Sequence, residues 1–176
     1  MTTHGLDLRD LRNAFGQFAT GVTVITARGA GARRAGITAN SLTSLSLDPP
    51  LLLFCLANQA PSYETFCTAE YFAVHVLGVE QQGLSQRFSR PAEDKFAGLP
   101  VDEGPGGVPL LGGCLARFVC TRENAYVEGD HTIFVGRVRE YERGEDEPLL
   151  FHAGSYRLAA PREAVPGCVA RSPAAR

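Results

Sequence analysis

Apolar residues at Leu8, Leu11, Phe15 and Phe18 recur at helical spacing, which predicts one amphipathic helix at the start of the chain, ending near Gly21. The period then changes. The β-branched run VTVIT (22–26) reads as a strand, and the glycines of ARGAGARRAG (27–36) as a hairpin loop leading into a second strand. In that second strand Ile37 and Ala39 share a face with Leu45 and Leu47, but Ser41 and Thr43 interrupt them. Asp48-Pro49-Pro50 forces a tight reversal into LLLFCLA (51–57), a run apolar on both faces. Ser62 is placed to cap a short helix carrying Glu64, with Tyr63 and Phe66 free to pack. EYFAVHVLG (70–78) reads as a mostly buried strand and VEQQGLSQRF (79–88) as a helix weakened by Gly83. Glycines and prolines between Ser89 and Gly113 predict a long loop with short local structure, of the kind that carries function or covers a site. CLARFVCTR (114–122), HTIFVGRVREY (131–141) and LLFHAGSYRL (149–158) complete the strands. From Ala159 onward Pro, Ala and Arg dominate without period, so residues 159–176 are expected to be a flexible tail behind a domain at 1–158.

Six or seven strands joined mostly by hairpins, with two or three helices, predict a mainly β fold: an antiparallel barrel with helices at its ends. No β-α alternation and no phosphate-binding glycine fingerprint follows any strand, which disfavours a doubly wound nucleotide fold. With 176 residues, 44% hydrophobic and 20% charged, the chain is sized for one globular domain. A net charge of −2 gives no basic field for nucleic acid. The longest uncharged apolar run is far short of a membrane span, and the start MTTHGLDLRD lacks an apolar leader, so no membrane partner and a cytoplasmic location are expected. The five cysteines form no C-x-x-C pair and sit near no histidine at ligand spacing; they are expected to be reduced thiols, with no metal site.

The polar stretch between Thr38 and Ser46 is the anomaly. On composition it is either the solvent face of an outer strand or one wall of a binding site. The doubly apolar neighbour 51–57 and the presence of Asn40, a poor strand former, favour the wall. A strip of short uncharged hydroxyl and amide groups suits the alternating carbonyls and ring nitrogens of a planar heterocycle such as a flavin.

FATGVTVIT, GITANSLTSLSLDPPLLLF, FAVHVL, DKFAG, GDHTIFVGRV and PLLFHAGSY occur in an order and spacing that resembles the NAD(P)H-dependent flavin reductases of the FMN-binding split-barrel class, over residues 8–158. The nearest resemblance is to the reductase components of two-component flavin monooxygenases. It implies a split β-barrel that takes FMN or FAD as flavin and NADH or NADPH as reductant, and hands reduced flavin to a partner monooxygenase. With no arginine standing out as a reader of a 2′-phosphate, NADH is favoured. Carried over position by position, the resemblance implies that Thr38, Ala39, Asn40 and Ser41 line the isoalloxazine edge with Ser44 close by. Cys55, Leu56 and Asn58 would border the ribityl chain or phosphate, and Ser62 would add a phosphate contact. Phe88 and Ser89, with Arg87 or Arg90, would close over the phosphate side. His131, Gly154 and Tyr156 would form the nicotinamide platform, with His131 as the positioning group. The resemblance also implies a homodimer. His75 stands where the family pattern leads one to expect asparagine, and the plainer reading is a buried neutral histidine.

Overall fold

The structure, a computed structural model, describes residues 5–160. The expected tail beyond residue 160, together with His4 and Cys168, lies outside the described residues.

Helix α1 (Leu8–Phe15) starts where the Asp7 carboxylate accepts hydrogen bonds from the Arg9 and Asp10 amides, at 2.8 and 3.3 Å. It ends at Gly16, one turn earlier than the spacing suggests, and buries none of its residues: Phe15 and Phe18 remain 73% and 78% exposed. The apolar stripe read from the sequence exists, but nothing within the described chain covers it.

Twelve strands follow, all paired antiparallel. β1 (Thr20–Gly21) joins the hairpin β11 (Leu149–His152) and β12 (Ser155–Leu158) in a small sheet. The stretch 149–158 is therefore not one strand. It folds back at Ala153 and Gly154, whose φ values of 46° and 77° make a tight left-handed turn. β7 (Val101–Glu103) and β8 (Pro109–Leu111) form a second small hairpin inside the glycine-rich loop.

The main sheet has seven strands in the order β3-β2-β6-β9-β10-β5-β4. These are β2 (Thr23–Arg28), β3 (Arg34–Ala39), β4 (Thr43–Leu47), β5 (Pro50–Ala57), β6 (Tyr71–Val76), β9 (Ala116–Glu128) and β10 (His131–Arg143). β3 and β4 are consecutive in the chain yet stand at opposite edges of this sheet. Three residues, Asn40 to Leu42, join them, and such a link reaches at most about 14 Å. The sheet must therefore curl until its two edges nearly meet, leaving a seam rather than a hydrogen-bonded closure. The barrel interior is filled by Phe54, Phe66, Phe72 and Phe134; Phe54 stacks on Phe134 at 5.3 Å and meets Phe72 edge-on at 5.2 Å.

Helix α2 (Tyr63–Thr68) packs Phe66 into that interior. Helix α3 (Gln82–Ser89) lies outside, where Phe88 and Phe96 pack with Val22, Val24 and Leu77. Covered from both sides, β2 and β6 are buried over nearly their whole length, as their β-branched and largely apolar composition suggests. His75 of β6 is wholly buried in this outer layer. Its Nδ1 donates to the Val24 carbonyl and its Nε2 accepts from the Leu111 amide, each at 3.0 Å, so it is neutral and clasps β8 onto the sheet.

Two elements differ from expectation. β5 buries only Leu52, Phe54 and Leu56, and its other face is half-exposed. β9 runs to Glu128, six residues beyond the apolar run read as a strand, because its outer half pairs only with β10 and is exposed on both faces. Among the described residues no helix is long and apolar enough to cross a membrane.

Candidate functional site

The polar stretch is split by the seam. Thr43 and Ser44 lie exposed on edge strand β4; Thr43 borders the second cavity described below, and Ser44 borders neither of the two. Thr38 and Ser41 are tied into the fold. Thr38 Oγ1 donates to the Ser85 carbonyl at 2.6 Å, fastening β3 to α3. Ser41 Oγ accepts from the Cys55 amide at 3.0 Å and donates to the Cys55 carbonyl at 3.3 Å. β4 pairs with β5 only as far as Thr43 opposite Leu53, so Ser41 stands in for the strand that has peeled away. Ser41 thus staples the seam and Thr38 ties β3 to α3, while both residues also line the cavity described next.

What faces outward is backbone. A cavity of about 600 Å³ is lined by every residue from Arg33 to Ser41. β3 is an edge strand, so half of its N–H and C=O groups point away from β2 with no strand partner. The opposite wall comes from Cys55, Leu56, Ala57 and the chain entering α2, and one end from the segment Phe88–Phe96. Burial pushes the Cys55 thiol above its usual range, so it is a neutral wall and not a nucleophile.

Of the residues singled out from the sequence, Thr38, Ala39, Asn40, Ser41, Cys55, Leu56, Ser62, Phe88, Ser89, Arg90 and His131 all border this one cavity. Ser62 makes no side-chain cap to α2, contrary to expectation. Asn58 lines neither this cavity nor the second one described below: its amide donates to the Gly129 carbonyl and its Oδ1 accepts from Thr132, fixing the turn before β10. Arg87 is likewise structural, reaching the carbonyls of Lys95 and Ala97, so of the two arginines named from the sequence Arg90 is the one that borders the cavity.

Lys95 is one of the charged lining residues that sequence reasoning missed, with Arg33, Arg34 and Asp94. Its Nζ donates to the carbonyls of Gly36 at 3.1 Å and Phe88 at 2.8 Å, bridging β3 to the end of α3. Burial lowers its pKa from the usual lysine range. The DKFAG motif contained it, but a single lysine beside a glycine-rich loop gives no local signal of which carbonyls it will meet.

His131 opens β10 opposite Ala57, two residues along β5 from the Ser41–Cys55 staple. Its Nδ1 lies 2.6 Å from the Asp130 carboxylate, which that hydrogen bond holds below the ordinary aspartate range. Nε2 is left as the atom that can meet a ligand. Gly154 is elsewhere, in a second cavity of about 880 Å³ with Arg12, Phe15, Phe18, Thr20 and Phe151. Tyr156 borders neither cavity; its hydroxyl is engaged with Ser85 Oγ at 2.8 Å. The three expected platform residues are thus not gathered in one cavity, but Asn40 and Ser41 line both, so the two cavities meet at the seam.

Among the described residues, only two buried side-chain oxygens lack a hydrogen-bond partner, Thr65 Oγ1 and Thr20 Oγ1. Thr65 lines the first cavity and Thr20 the second. A buried hydroxyl left unpaired costs about 1–3 kcal/mol, and a polar occupant of each cavity can provide the missing partner. An edge of free amides and carbonyls, apolar walls and a cationic end together fit a planar heterocycle bearing a phosphate. No cluster of three or more metal-ligating side chains occurs among the described residues.

Comparison with known proteins gives a consistent result. The family described as "Flavin reductase like domain" matches residues 15–160. An FMN reductase (NADH) of Agrobacterium fabrum is 43% identical over 152 residues, covering 86% of each chain. A protein of Rhizobium meliloti named "Probable flavin reductase" is 45% identical, but this chain spans only 50% of its length. The reductase subunit of a stachydrine N-demethylase from the same organism is 44% identical, with 65% of its length spanned. Among solved structures, the NADH:FAD oxidoreductase of Streptomyces globisporus in complex with NAD and FAD fragments superposes with a TM-score of 0.82 at 39% identity, covering 88% of this chain and 94% of that one.

Proposed function

Because the chain belongs to the flavin reductase-like family, we propose that it transfers a hydride from NADH to a flavin, FMN or FAD, and releases the reduced flavin to a flavin-dependent monooxygenase. The observation that carries this reading is the cavity running along the free edge of β3, with a polar uncharged end at Asn40–Ser41 and cations toward the other.

The nicotinamide and the flavin provide the redox chemistry: a C–H bond of the dihydronicotinamide breaks and its electron pair and proton pass together to the flavin ring. The chain's part is alignment and electrostatics. Backbone groups of residues 38–41, with the Asn40 amide, hydrogen-bond the carbonyl edge of the ring and favour the negative charge that accumulates there on reduction. Leu56 and Ala57 form the apolar floor. Lys95 and Arg90, with Ser62 and Ser89, meet the phosphate. His131, oriented by Asp130, and the Gly154 turn flank the seam from two sides, where the reductant has access to the ring. No side-chain nucleophile is required, in keeping with the neutral thiol of Cys55.

The active form in this proposal is a homodimer. Phe15 and Phe18 beside the second cavity, and Leu45 and Leu47 on β4, are large apolar side chains left exposed in one copy, and an isologous partner would cover them.

The test is NADH consumption by the purified protein without flavin, with FMN and with FAD, followed by the loss of NADH absorbance. Turnover that depends on added flavin is expected. Tight flavin binding without turnover would instead make the protein a flavin carrier.

A further inference from the structure

Three hydrogen bonds from one residue hold the turn that carries His131. The Asn58 backbone amide donates to the Asp130 carbonyl at 2.9 Å, its side-chain amide donates to the Gly129 carbonyl at 3.3 Å, and its Oδ1 accepts from Thr132 Oγ1 at 2.7 Å. The residues held flank His131 on both sides. A carbonyl at Gly129 accepts only from Nδ2, which fixes the amide orientation and with it the direction of the remaining bonds. Thr132 has one hydroxyl proton, given to Asn58 Oδ1, so the Tyr63 hydroxyl 3.0 Å away is the donor to Thr132. Tyr63 opens α2 and sets its ring edge-on to Phe134, with 6.3 Å between centroids. The clasp therefore runs from α2, whose entering chain walls the first cavity, to the turn before β10.

We propose that Asn58, Thr132 and Tyr63 are positioning residues for the reductant: they fix His131 relative to the α2 side of the flavin cavity, and through it the nicotinamide. The inference rests on the reading of His131 as the group that meets the reductant. The ladder between β10 and β5 ends at His131 opposite Ala57, and beyond that point, among the described residues, Asn58 alone hydrogen-bonds the turn to the barrel. The outer half of β9 beside it is exposed on both faces, and the imidazole is itself half-exposed, so packing does not set its aim. None of the three residues lines either cavity. Successive residues of a strand point to opposite faces, and Thr132, 1% exposed, points inward where His131 borders the cavity. A change in the clasp thus reaches a ligand only through what it holds. Helix α2 keeps its own anchor, Phe66 in the barrel interior, so loss of the clasp frees the His131 turn and leaves the flavin wall in place.

The experiment is a double-mutant cycle on kcat/KM for NADH at saturating flavin, with FMN and FAD affinities read by fluorescence titration. Thr132→Val removes the hydroxyl at nearly constant volume and leaves Asn58 Oδ1 and the Tyr63 hydroxyl without their partner. It is expected to lower kcat/KM for NADH about tenfold, the order of a lost buried hydrogen bond, with Kd for either flavin changed by less than about twofold. Thr132→Ser keeps the hydroxyl and is expected to restore most of the loss. In a His131→Ala background, Thr132→Val is expected to cost no more than about twofold further, because the residue it acts through is gone. Tyr63→Phe keeps the ring against Phe134 and is expected to give the same pattern at about threefold, so it carries the cycle if Thr132→Val does not fold. An equal loss with and without His131, an unaltered kcat/KM, or a matching loss of flavin affinity would overturn the clasp as a positioning device while leaving the function intact. A His131→Ala variant with the NADH kinetics of the wild type would instead overturn the placement of the reductant at His131, and the role of the clasp with it.

Discussion

The buried His75 clasp makes the stability of the fold depend on pH in a defined window. Its ring is fully buried and both nitrogens are engaged by backbone groups: Nδ1–H donates to the Val24 carbonyl, and Nε2 accepts from the Leu111 amide, a contact that requires the neutral form. Protonation would set two N–H groups against each other at Nε2, in a site with little water and with the Arg117 cation on adjacent β9. Burial, opposed by the Val24 hydrogen bond and aided by Arg117, lowers the imidazole pKa from 6.5 to about 4. The unfolded chain therefore takes up a proton near 6.5 that the folded chain refuses until about 4. Between these values the unfolded state binds more protons, so stability falls as pH falls. The contribution is complete above 6.5 and disappears progressively down to about 4. A shift of this size corresponds to about 3 kcal/mol. Urea unfolding of the wild type and of His75→Gln, which keeps polar groups at the site without titrating, isolates this part, because carboxylates elsewhere contribute equally to both proteins. The wild type is expected to lose about 3 kcal/mol relative to the variant across the window. Parallel pH profiles would refute the clasp as drawn.

The seam offers two further tests. Ser41→Ala leaves the Cys55 amide and carbonyl without their staple and is expected to destabilise by about 1–2 kcal/mol, or roughly 2–8 °C in Tm, and to weaken flavin binding; the exposed Ser44→Ala should change neither by more than about 0.5 kcal/mol. A calorimetric scan in which both behave alike would remove Ser41 from the seam. Gly36→Ala drives a Cβ into the Phe88 ring and displaces the strand carbonyl that anchors Lys95, so a loss of about 1–3 kcal/mol and weaker binding of both FMN and FAD are expected by unfolding and titration. Undiminished flavin affinity in that variant would mean that the β3 edge does not hold the ligand.

Much of the barrel was legible because its signals are local. The glycine-rich hairpin after VTVIT, the Asp-Pro-Pro reversal and the buried β6 all depend on residues adjacent in the chain. What escaped depends on pairing between distant segments. In TANSLTSLS the interruption of the apolar face at Ser41 and Thr43 marks an anomaly but not a strand break, since Leu45 and Leu47 resume the same parity; the break is set by which neighbours β3 and β4 find, at opposite sheet edges. The outer half of β9 has no apolar face, and only its pairing with β10 makes it a strand. The site was legible to the same extent. Residues 38–41, Cys55, Leu56 and His131 were named together and border one cavity, whereas Asn58 and Tyr156 are engaged by the hydroxyls of Thr132 and Ser85, residues far off in sequence.

The seam also explains why a binding cavity forms here and not elsewhere on the barrel. A strand edge exposes unpaired amides and carbonyls, and most proteins cover or blunt such edges. A fully closed barrel would have paired β3 with β4 and left no donors for a ligand. Here the three-residue link Asn40–Leu42 brings the edges close without a ladder between them, and Ser41 satisfies β5 where β4 departs. The edge of β3 is thereby left without a strand partner beside an apolar floor, with Lys95 on the Gly36 carbonyl. The same link borders both cavities, so the point where the fold fails to close is the point where two ligands can meet. Closing the seam by extending the β3–β4 pairing would stabilise the barrel and abolish the site, which places the polar residues of this stretch under two demands at once: to hold the edges together, and to hold them apart.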